Sequence, residues 1–147
     1  MARRKRILFL YPYMEESRPY VQALRDQGFD VQALTSVDEA LSCIENKHEY
    51  DLLIWTMWFE EPGERIRALG EARHGGGTKT GECFVEIARR HYPSTLMLLF
   101  TRDRMLIRPY SRPREAHYAW NFSVSNARIF AHEVYRLLHG AIDNSKP

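Results

Sequence analysis

Three short apolar runs bounded by polar residues stand out along the chain: Arg6–Tyr11, Asp51–Met57 and Thr95–Thr101. Continuous apolar runs of this length are typical of strands that are buried on both faces of a parallel sheet. Helical patterns separate the runs, and alternating strands and helices indicate βαβ units. In open sheets of this kind, functional residues follow the carboxyl ends of the strands. The residues directly after each run are therefore the candidates for function.

Turn and capping signals predict the elements of the first half. Helix one is expected over Glu16–Gln27, because acidic residues favour a helix N-terminus and Gly28 is a natural stop. The second strand, Val31–Leu34, is short, which predicts an edge position. Ser36 and Glu39 form a capping box that begins helix two.

The regular alternation breaks after the third run. Residues 58–79 contain no predicted strand and are interpreted as a long loop insertion, in which Glu64–Ala72 has room for two helical turns. Gly75, Gly76 and Gly77 predict a flexible hinge. The elements predicted beyond it are a helix at Gly81–His91, the strand Thr95–Thr101, a fifth strand at His117–Phe122 and a last helix capped by Ser125.

Composition narrows the class of protein. The chain has 147 residues, 44% apolar and 27% charged, which fits one domain over residues 1–147 with a basic leader (1–5) and a frayed polar tail (141–147). No apolar run approaches the roughly 18 residues of a membrane span, and the N-terminal run is too short for a signal peptide. Cys43 and Cys83 lack metal-type spacing and predict reduced thiols in a cytoplasmic protein. A net charge of +2 does not by itself argue for nucleic acid.

The succession of parts resembles the CheY-like receiver domain of two-component response regulators. The resemblance rests on an aliphatic first strand, a capped helix two, the strings DLLIWT and LMLLFT, and GECFVEIARRHYP over Gly81–Pro93. It extends over about residues 5–139. It implies an α/β fold of the flavodoxin-like (CheY-like) type, a three-layer sandwich with a five-stranded parallel sheet in the order 2-1-3-4-5 and helices on both faces.

The resemblance also implies four working positions. Receivers carry a phosphate-accepting Asp after strand three, an acidic pair after strand one, a Thr or Ser after strand four and a Lys after strand five. The matching residues here are Thr56, then Tyr11 and Pro12, then Thr101, then Asn121. Only Thr101 keeps the receiver residue type. A threonine cannot form an acyl phosphate, and Tyr and Pro supply no carboxylate for magnesium. We therefore expect a degenerate pseudo-receiver that is not an enzyme and has no catalytic residue, metal or cofactor.

The degenerate pocket is expected to carry an apolar cap formed by Tyr11, Tyr13, Trp55, Trp58 and Phe59. The alternative is a rebuilt metal site, since Glu15, Glu16 and Glu60 are near enough in sequence to reach the same end of the sheet.

Other motifs carry weaker signals. The string GGGTKT lacks the Gly-Lys-Ser/Thr order of a phosphate loop and is interpreted as a hinge. His132 and His139 lie two turns apart, which does not favour a metal pair. Cys43 and Cys83 sit in helical patterns as small apolar residues rather than as nucleophiles.

An arginine-rich segment follows the fourth strand. It contains Arg102, Arg104, Arg108, Arg112 and Arg114, with Tyr110 among them. Arginine with an interleaved aromatic binds phosphates, and the same residues are enriched in protein interfaces. The outer face of the last helix adds Arg128, His132, Tyr135 and Arg136.

These features favour a signalling module that acts by protein–protein interaction without Asp phosphorylation. Residues 102–118 and the outer face of the last helix would contact a protein partner or a second copy in a homodimer. The alternative is a domain that binds nucleic acid or an anionic ligand through residues 102–114. A third hypothesis is an enzyme, or a phosphorylatable receiver with a rearranged pocket.

Overall fold

Strands and helices alternate along the chain in the computed structural model. The structure describes residues 4–46, 48–61, 63–68, 78–101, 118–121 and 126–140. The strands are β1 (Arg6–Leu10), β2 (Asp30–Leu34), β3 (Leu52–Trp55), β4 (Leu96–Thr101) and β5 (Tyr118–Asn121). The helices are α1 (Met14–Asp26), α2 (Val37–Glu45), α3 (Gly63–Ala68), α4 (Thr78–His91) and α5 (Ala127–Tyr135), which continues into a π-helical turn at Arg136–Gly140. All strands pair in parallel in the order β2-β1-β3-β4-β5. The predicted flavodoxin-like sheet, with β2 at an edge, is confirmed.

Each buried strand sends alternate side chains into two separate cores. In β1, Leu8 and Leu10 join the core that α2, α3 and α4 cover, whereas Ile7 and Phe9 join the core under α1 and α5. The central strands β3 and β4 divide in the same way. Because both faces of the sheet are covered by helices, the strands read as continuous apolar runs rather than alternating ones.

The helices begin close to their predicted starts, with three corrections. α1 begins at Met14, two residues before the predicted start, and ends at Asp26, one residue before the predicted end. The N-cap of α5 is Asn126 rather than Ser125, because the Asn126 side chain accepts a hydrogen bond from the Ile129 amide at 2.9 Å. α4 begins at Thr78, three residues before the predicted start. For α2, the Ser36 cap is confirmed, since its hydroxyl accepts from the Glu39 amide at 3.3 Å.

The segment predicted as a loop insertion contains a packed helix, α3. Asp38 of α2 holds its first turn, since its carboxylate accepts from the amides of Glu64 and Arg65 at 2.9 and 3.0 Å. Ile66 is fully buried. Arg65 also pairs with Glu45. The expected helix within Glu64–Ala72 is confirmed, although α3 begins at Gly63, and the start of α4 at Thr78 shortens the loop at its C-terminal end. The predicted glycine hinge at 75–77 lies outside the described residues.

Candidate functional site

The residues that follow β1, β3 and β4 meet at one edge of the sheet. Phe9 pairs with Ile54, and extending this register by two residues places Tyr11 beside Thr56. Trp55 pairs with Leu99, so Thr101 lies slightly further along the same edge. The structure therefore brings the sequence-predicted positions together as the parallel sheet requires.

Three buried threonine side chains lie at or near this edge of the sheet. Thr56 and Thr101 are only 6% and 5% exposed. Thr80, in the first turn of α4, is fully buried. Asn121 pairs with Thr101 in the β4–β5 ladder. A threonine hydroxyl is a weak nucleophile unless a base activates it, and it carries no charge to hold a divalent cation.

The first turns of α4 press directly on the end of β3. The Gly81 amide donates to the Met57 carbonyl at 2.9 Å. A Cβ at Gly81 would lie 2.3 Å from Met57 Cα and 2.6 Å from the Thr56 carbonyl oxygen. Only a glycine permits this approach, so the backbone of α4 lies directly against the backbone of Thr56 and Met57.

Aromatic rings cover the edge next to β1. Tyr13 stacks on Trp58, with ring centres 6.5 Å apart and planes 23° apart. Tyr11 packs edge-on against Tyr13 at 6.0 Å and against Phe100 at 5.6 Å. Trp58 is 46% exposed, whereas Phe100 is fully buried. The rings therefore form a continuous path from the surface to the core under α1 and α5.

The predicted apolar cap is correct for three of its five members. Trp55 and Phe59 instead lie in the opposite core, among the residues of α2, α3 and α4. Both are essentially fully buried, at 0% and 2% exposure. The Trp55 indole Nε1 has no hydrogen-bond partner among the described residues.

The three glutamates of the alternative metal site each accept hydrogen bonds from a different group. Glu60 accepts from the Tyr13 hydroxyl at 2.7 Å, and Glu16 accepts from the Tyr11 hydroxyl at 3.3 Å. Glu15 pairs with Arg18. The bond to Glu60 is the main cause that raises the pKa of Tyr13 above its ordinary value. Within the described ranges, no group of three or more His, Cys, Asp or Glu residues is placed to hold a metal ion.

The histidine and cysteine side chains weighed as metal ligands or nucleophiles pack against different parts of the fold. His139 stacks on Phe29 with ring centres 6.1 Å apart, whereas His132 lies beside α1. Cys83 is buried and Cys43 is half-buried, and the two cysteines form no disulfide. The Cys43 Sγ accepts from Gln32 Nε2 at 3.3 Å, and Gln32 also accepts from the Tyr50 hydroxyl. Burial raises the pKa of Tyr50, which therefore stays protonated beside the thiol.

The predicted interface residues of the last helix are all exposed on its outer side, namely Arg128, His132, Tyr135 and Arg136. Arg128 and His132 line a groove against α1. Tyr135 is 41% exposed and packs its ring against Phe29 and His139. Arg136 pairs with Glu133. The other predicted interface residues, Arg102, Arg104, Arg108 and Tyr110, lie outside the described residues.

Sequence reasoning missed the α1 side of that groove. Ala23, Asp26 and Gln27 line it together with the α5 residues. Their sequence pattern is typical of the solvated end of a helix, and no nearby residue in the sequence indicates that α5 lies beside them.

Comparison with known proteins supports the fold. No family model matches the sequence, and no curated protein is significantly similar to it. Solved structures that resemble the chain include receiver domains of response regulators, at identities that show the fold alone. Within the described residues, no helix is long and apolar enough to cross a membrane.

Three solved structures illustrate the likeness. The first is described as a redox sensor of the streptococci that evolved from two-component response regulators. It has a TM-score of 0.69 and 18% identity, and the alignment covers 97% of this chain and 56% of that chain. A CheY-like receiver domain protein from Methanospirillum hungatei has a TM-score of 0.65 and 16% identity, covering 97% of this chain and all of that chain. An orphan response regulator of H. pylori has a TM-score of 0.66 and 11% identity, covering 92% of this chain and 97% of that chain.

Proposed function

We propose that this chain is a receiver-like signalling module that acts by protein–protein interaction without phosphorylation of an aspartate. The observation that carries the proposal is the replacement of the phosphate-accepting position by Thr56, buried beside Tyr11 at the end of β3. The receiver-like fold supports a signalling role, because solved structures that resemble the chain include an orphan response regulator and a redox sensor that evolved from response regulators.

Physical chemistry opposes phosphoryl transfer at this edge. An acyl phosphate needs a carboxylate, and Thr56 offers a hydroxyl. Transfer also needs a metal ion to neutralise the phosphoryl oxygens. Tyr11 and Pro12 contribute no carboxylate where receivers bind magnesium. Two glutamates of this region, Glu16 and Glu60, accept hydrogen bonds from Tyr11 and Tyr13.

Incubation with acetyl phosphate and magnesium, followed by intact-mass spectrometry, tests the proposal. We expect no phosphate adduct, while a receiver that has the acceptor Asp, treated in parallel, gains one. A stoichiometric, hydroxylamine-labile adduct on this chain would contradict the proposal.

The variant Thr56→Asp separates the two defects. It restores the carboxylate but leaves Tyr11 and Pro12 in place of the acidic pair, so we expect it to remain unphosphorylated. Phosphorylation of this variant would mean that Glu16 or Glu60 leaves its tyrosine partner to bind magnesium. In that case, the apolar cap would not prevent magnesium from binding at this edge of the sheet.

The alternative function is binding of nucleic acid or an anionic ligand through the five arginines between residues 102 and 114. Counterion release makes such binding fall steeply as salt rises. Nucleic-acid binding that falls in this way, without any protein–protein contact, would favour this alternative.

A further inference from the structure

An open groove lies between α1 and α5. Its volume is about 580 Å³. The main wall residues are Ala23, Asp26 and Gln27 from α1 and Arg128, Ile129 and His132 from α5. Beneath the groove, the helices are joined by buried aromatic contacts such as Tyr20 against Phe130, with ring centres 5.6 Å apart. The groove is open to solvent and has room for a side chain of a partner protein.

The two walls of the groove carry opposite charges. Asp26 lies on the α1 wall, where it accepts a hydrogen bond from Gln22 at 2.9 Å. Arg128 lies on the α5 wall and makes no ion pair or hydrogen bond within the parts of the chain that the structure describes. Ile129 also lines the groove, and at 51% exposure it is the most exposed large apolar side chain among the described residues. One surface therefore presents a cavity, an aliphatic side chain and both signs of charge.

We propose that a second copy of this chain occupies the groove in a two-fold dimer. In an isologous interface the same patch meets itself, so it has to present both a protrusion and a matching cavity. Ile129 of each copy enters the groove of the other, and Asp26 of each copy faces Arg128 of the other. The inference rests on the proposed function, because it names the partner through which an unphosphorylated module would act.

Self-complementarity favours a second copy over a foreign protein. A foreign partner would have to bring an apolar side chain, a base for Asp26 and an acid for Arg128. A copy of this chain supplies all three from the same three positions. Burial of exposed aliphatic surface also stabilises association, and the cost of ordering the interface offsets part of this gain.

Sedimentation equilibrium of the whole chain over a range of concentrations tests the dimer. We expect the wild type to dimerise in the micromolar range. Ile129→Glu places a charge in the groove, and we expect it to weaken dimerisation about tenfold or more. Because Ile129 is half exposed in the monomer, this variant should melt cooperatively. Ile129→Ala serves as a conservative second variant and should weaken the dimer in the same direction.

Charge reversal tests the two-fold pairing itself. Asp26→Arg alone places two arginines against each other, and Arg128→Asp alone places two aspartates together, so each variant should weaken dimerisation about tenfold. An equimolar mixture of the two single variants restores both pairs and should form heterodimers. The double variant Asp26→Arg/Arg128→Asp should dimerise with itself, with an affinity within a few-fold of the wild type.

Tyr118→Glu is the matched control. Tyr118 is 37% exposed on β5, away from the groove and within the surface that the sequence predicted as the interface. We expect it to leave dimerisation unchanged. Loss of the dimer in Tyr118→Glu, with no effect of the groove variants, would overturn the proposal in favour of the β5 surface.

A wild type that stays monomeric at high micromolar concentration would also overturn it, whether or not the groove binds another protein or a small molecule. The outcome is separable from that of the proposed function. A monomer that resists acetyl phosphate refutes only the dimer, whereas a phosphate adduct refutes the proposed function with the dimer intact.

Discussion

Gly81→Ala tests the close packing of α4 on the end of β3. The added Cβ would lie 2.3 Å from Met57 Cα, 2.5 Å from the Met57 carbonyl oxygen and 2.6 Å from the Thr56 carbonyl oxygen. Ordinary contacts begin at 3.4 Å. All three atoms belong to the backbone, so no side chain can rotate away. The helix or the segment after β3 has to move by about 1 Å or more to reach that separation.

Two unfavourable contributions and one favourable contribution set the change in folding free energy. Overpacking costs roughly 1–3 kcal/mol. The Gly81 hydrogen bond to Met57, now 2.9 Å long, is weakened, at a cost of about 1 kcal/mol. Alanine is about 1 kcal/mol better than glycine in a helix interior, which offsets the second contribution. The net loss of folding free energy is about 2 kcal/mol, which for a chain of this size lowers Tm by roughly 4–8 °C.

Urea denaturation followed by circular dichroism measures this loss. Gly28 provides the matched control, because it needs glycine for a different reason. Its φ is +97°, while nothing lies within 4 Å of an added Cβ. Asn tolerates positive φ better than Ala, so Gly28→Asn should be more stable than Gly28→Ala. Gly81→Asn should show no such recovery over Gly81→Ala, because the obstacle there is space. A Gly81→Ala variant as stable as the wild type would refute the close approach.

Three further predictions concern single side chains. The free energy of unfolding of Trp55→Phe should lie within about 1 kcal/mol of the wild-type value, because removing a buried unpaired N–H group offsets the packing lost with the smaller ring. A loss near the ~3–5 kcal/mol expected for Trp55→Ala would instead reveal a hydrogen-bond partner of the indole. The hydrogen bond from Arg65 lowers the pKa of Glu45, so Glu45 stabilises the fold above its unfolded pKa and loses this effect as pH falls through its lower folded pKa. Urea midpoints of Glu45→Gln should therefore lie below those of the wild type at neutral pH and converge with them in acid; a constant gap would contradict the assignment. The Tyr13 hydroxyl should deprotonate at higher pH than an ordinary tyrosine because it donates a hydrogen bond to Glu60. In an ultraviolet titration with Tyr13→Phe as the reference, Glu60→Gln should lower the pKa of Tyr13 toward its ordinary value. An unchanged titration would exclude this hydrogen bond in solution.

Periodicity along the chain determined the sheet and most of its helices. Apolar runs of strand length, a Ser36 cap and a glycine stop at position 28 are local signals, and each acts on residues that are neighbours in sequence. The sheet order followed from the resemblance to receiver domains rather than from the pattern itself. Among the helix starts, the shift from Ser125 to Asn126 shows the limit of such signals, because adjacent residues of similar chemistry compete for one cap.

The same local chemistry predicted which residues reach the candidate site. In a parallel sheet, the residues after each strand meet at one edge, so Tyr11, Thr56 and Thr101 had to lie together. The side of the sheet on which a residue lies was not predictable in the same way. Trp55 belongs to a run that is apolar at every position, and such a run has no polar residue to mark one face, so only strand register decided that Trp55 joins the α2 side.

Tertiary structure alone decided the groove and the close contact at Gly81. Asp26 and Arg128 are about a hundred residues apart in sequence, and they share a surface only because α1 and α5 pack on the same face of the sheet. Likewise, the sequence around Gly81 predicts a helix, but only the tertiary structure shows that Met57 lies against this glycine. Contacts between distant segments depend on how whole elements pack, and no short window of sequence contains that information.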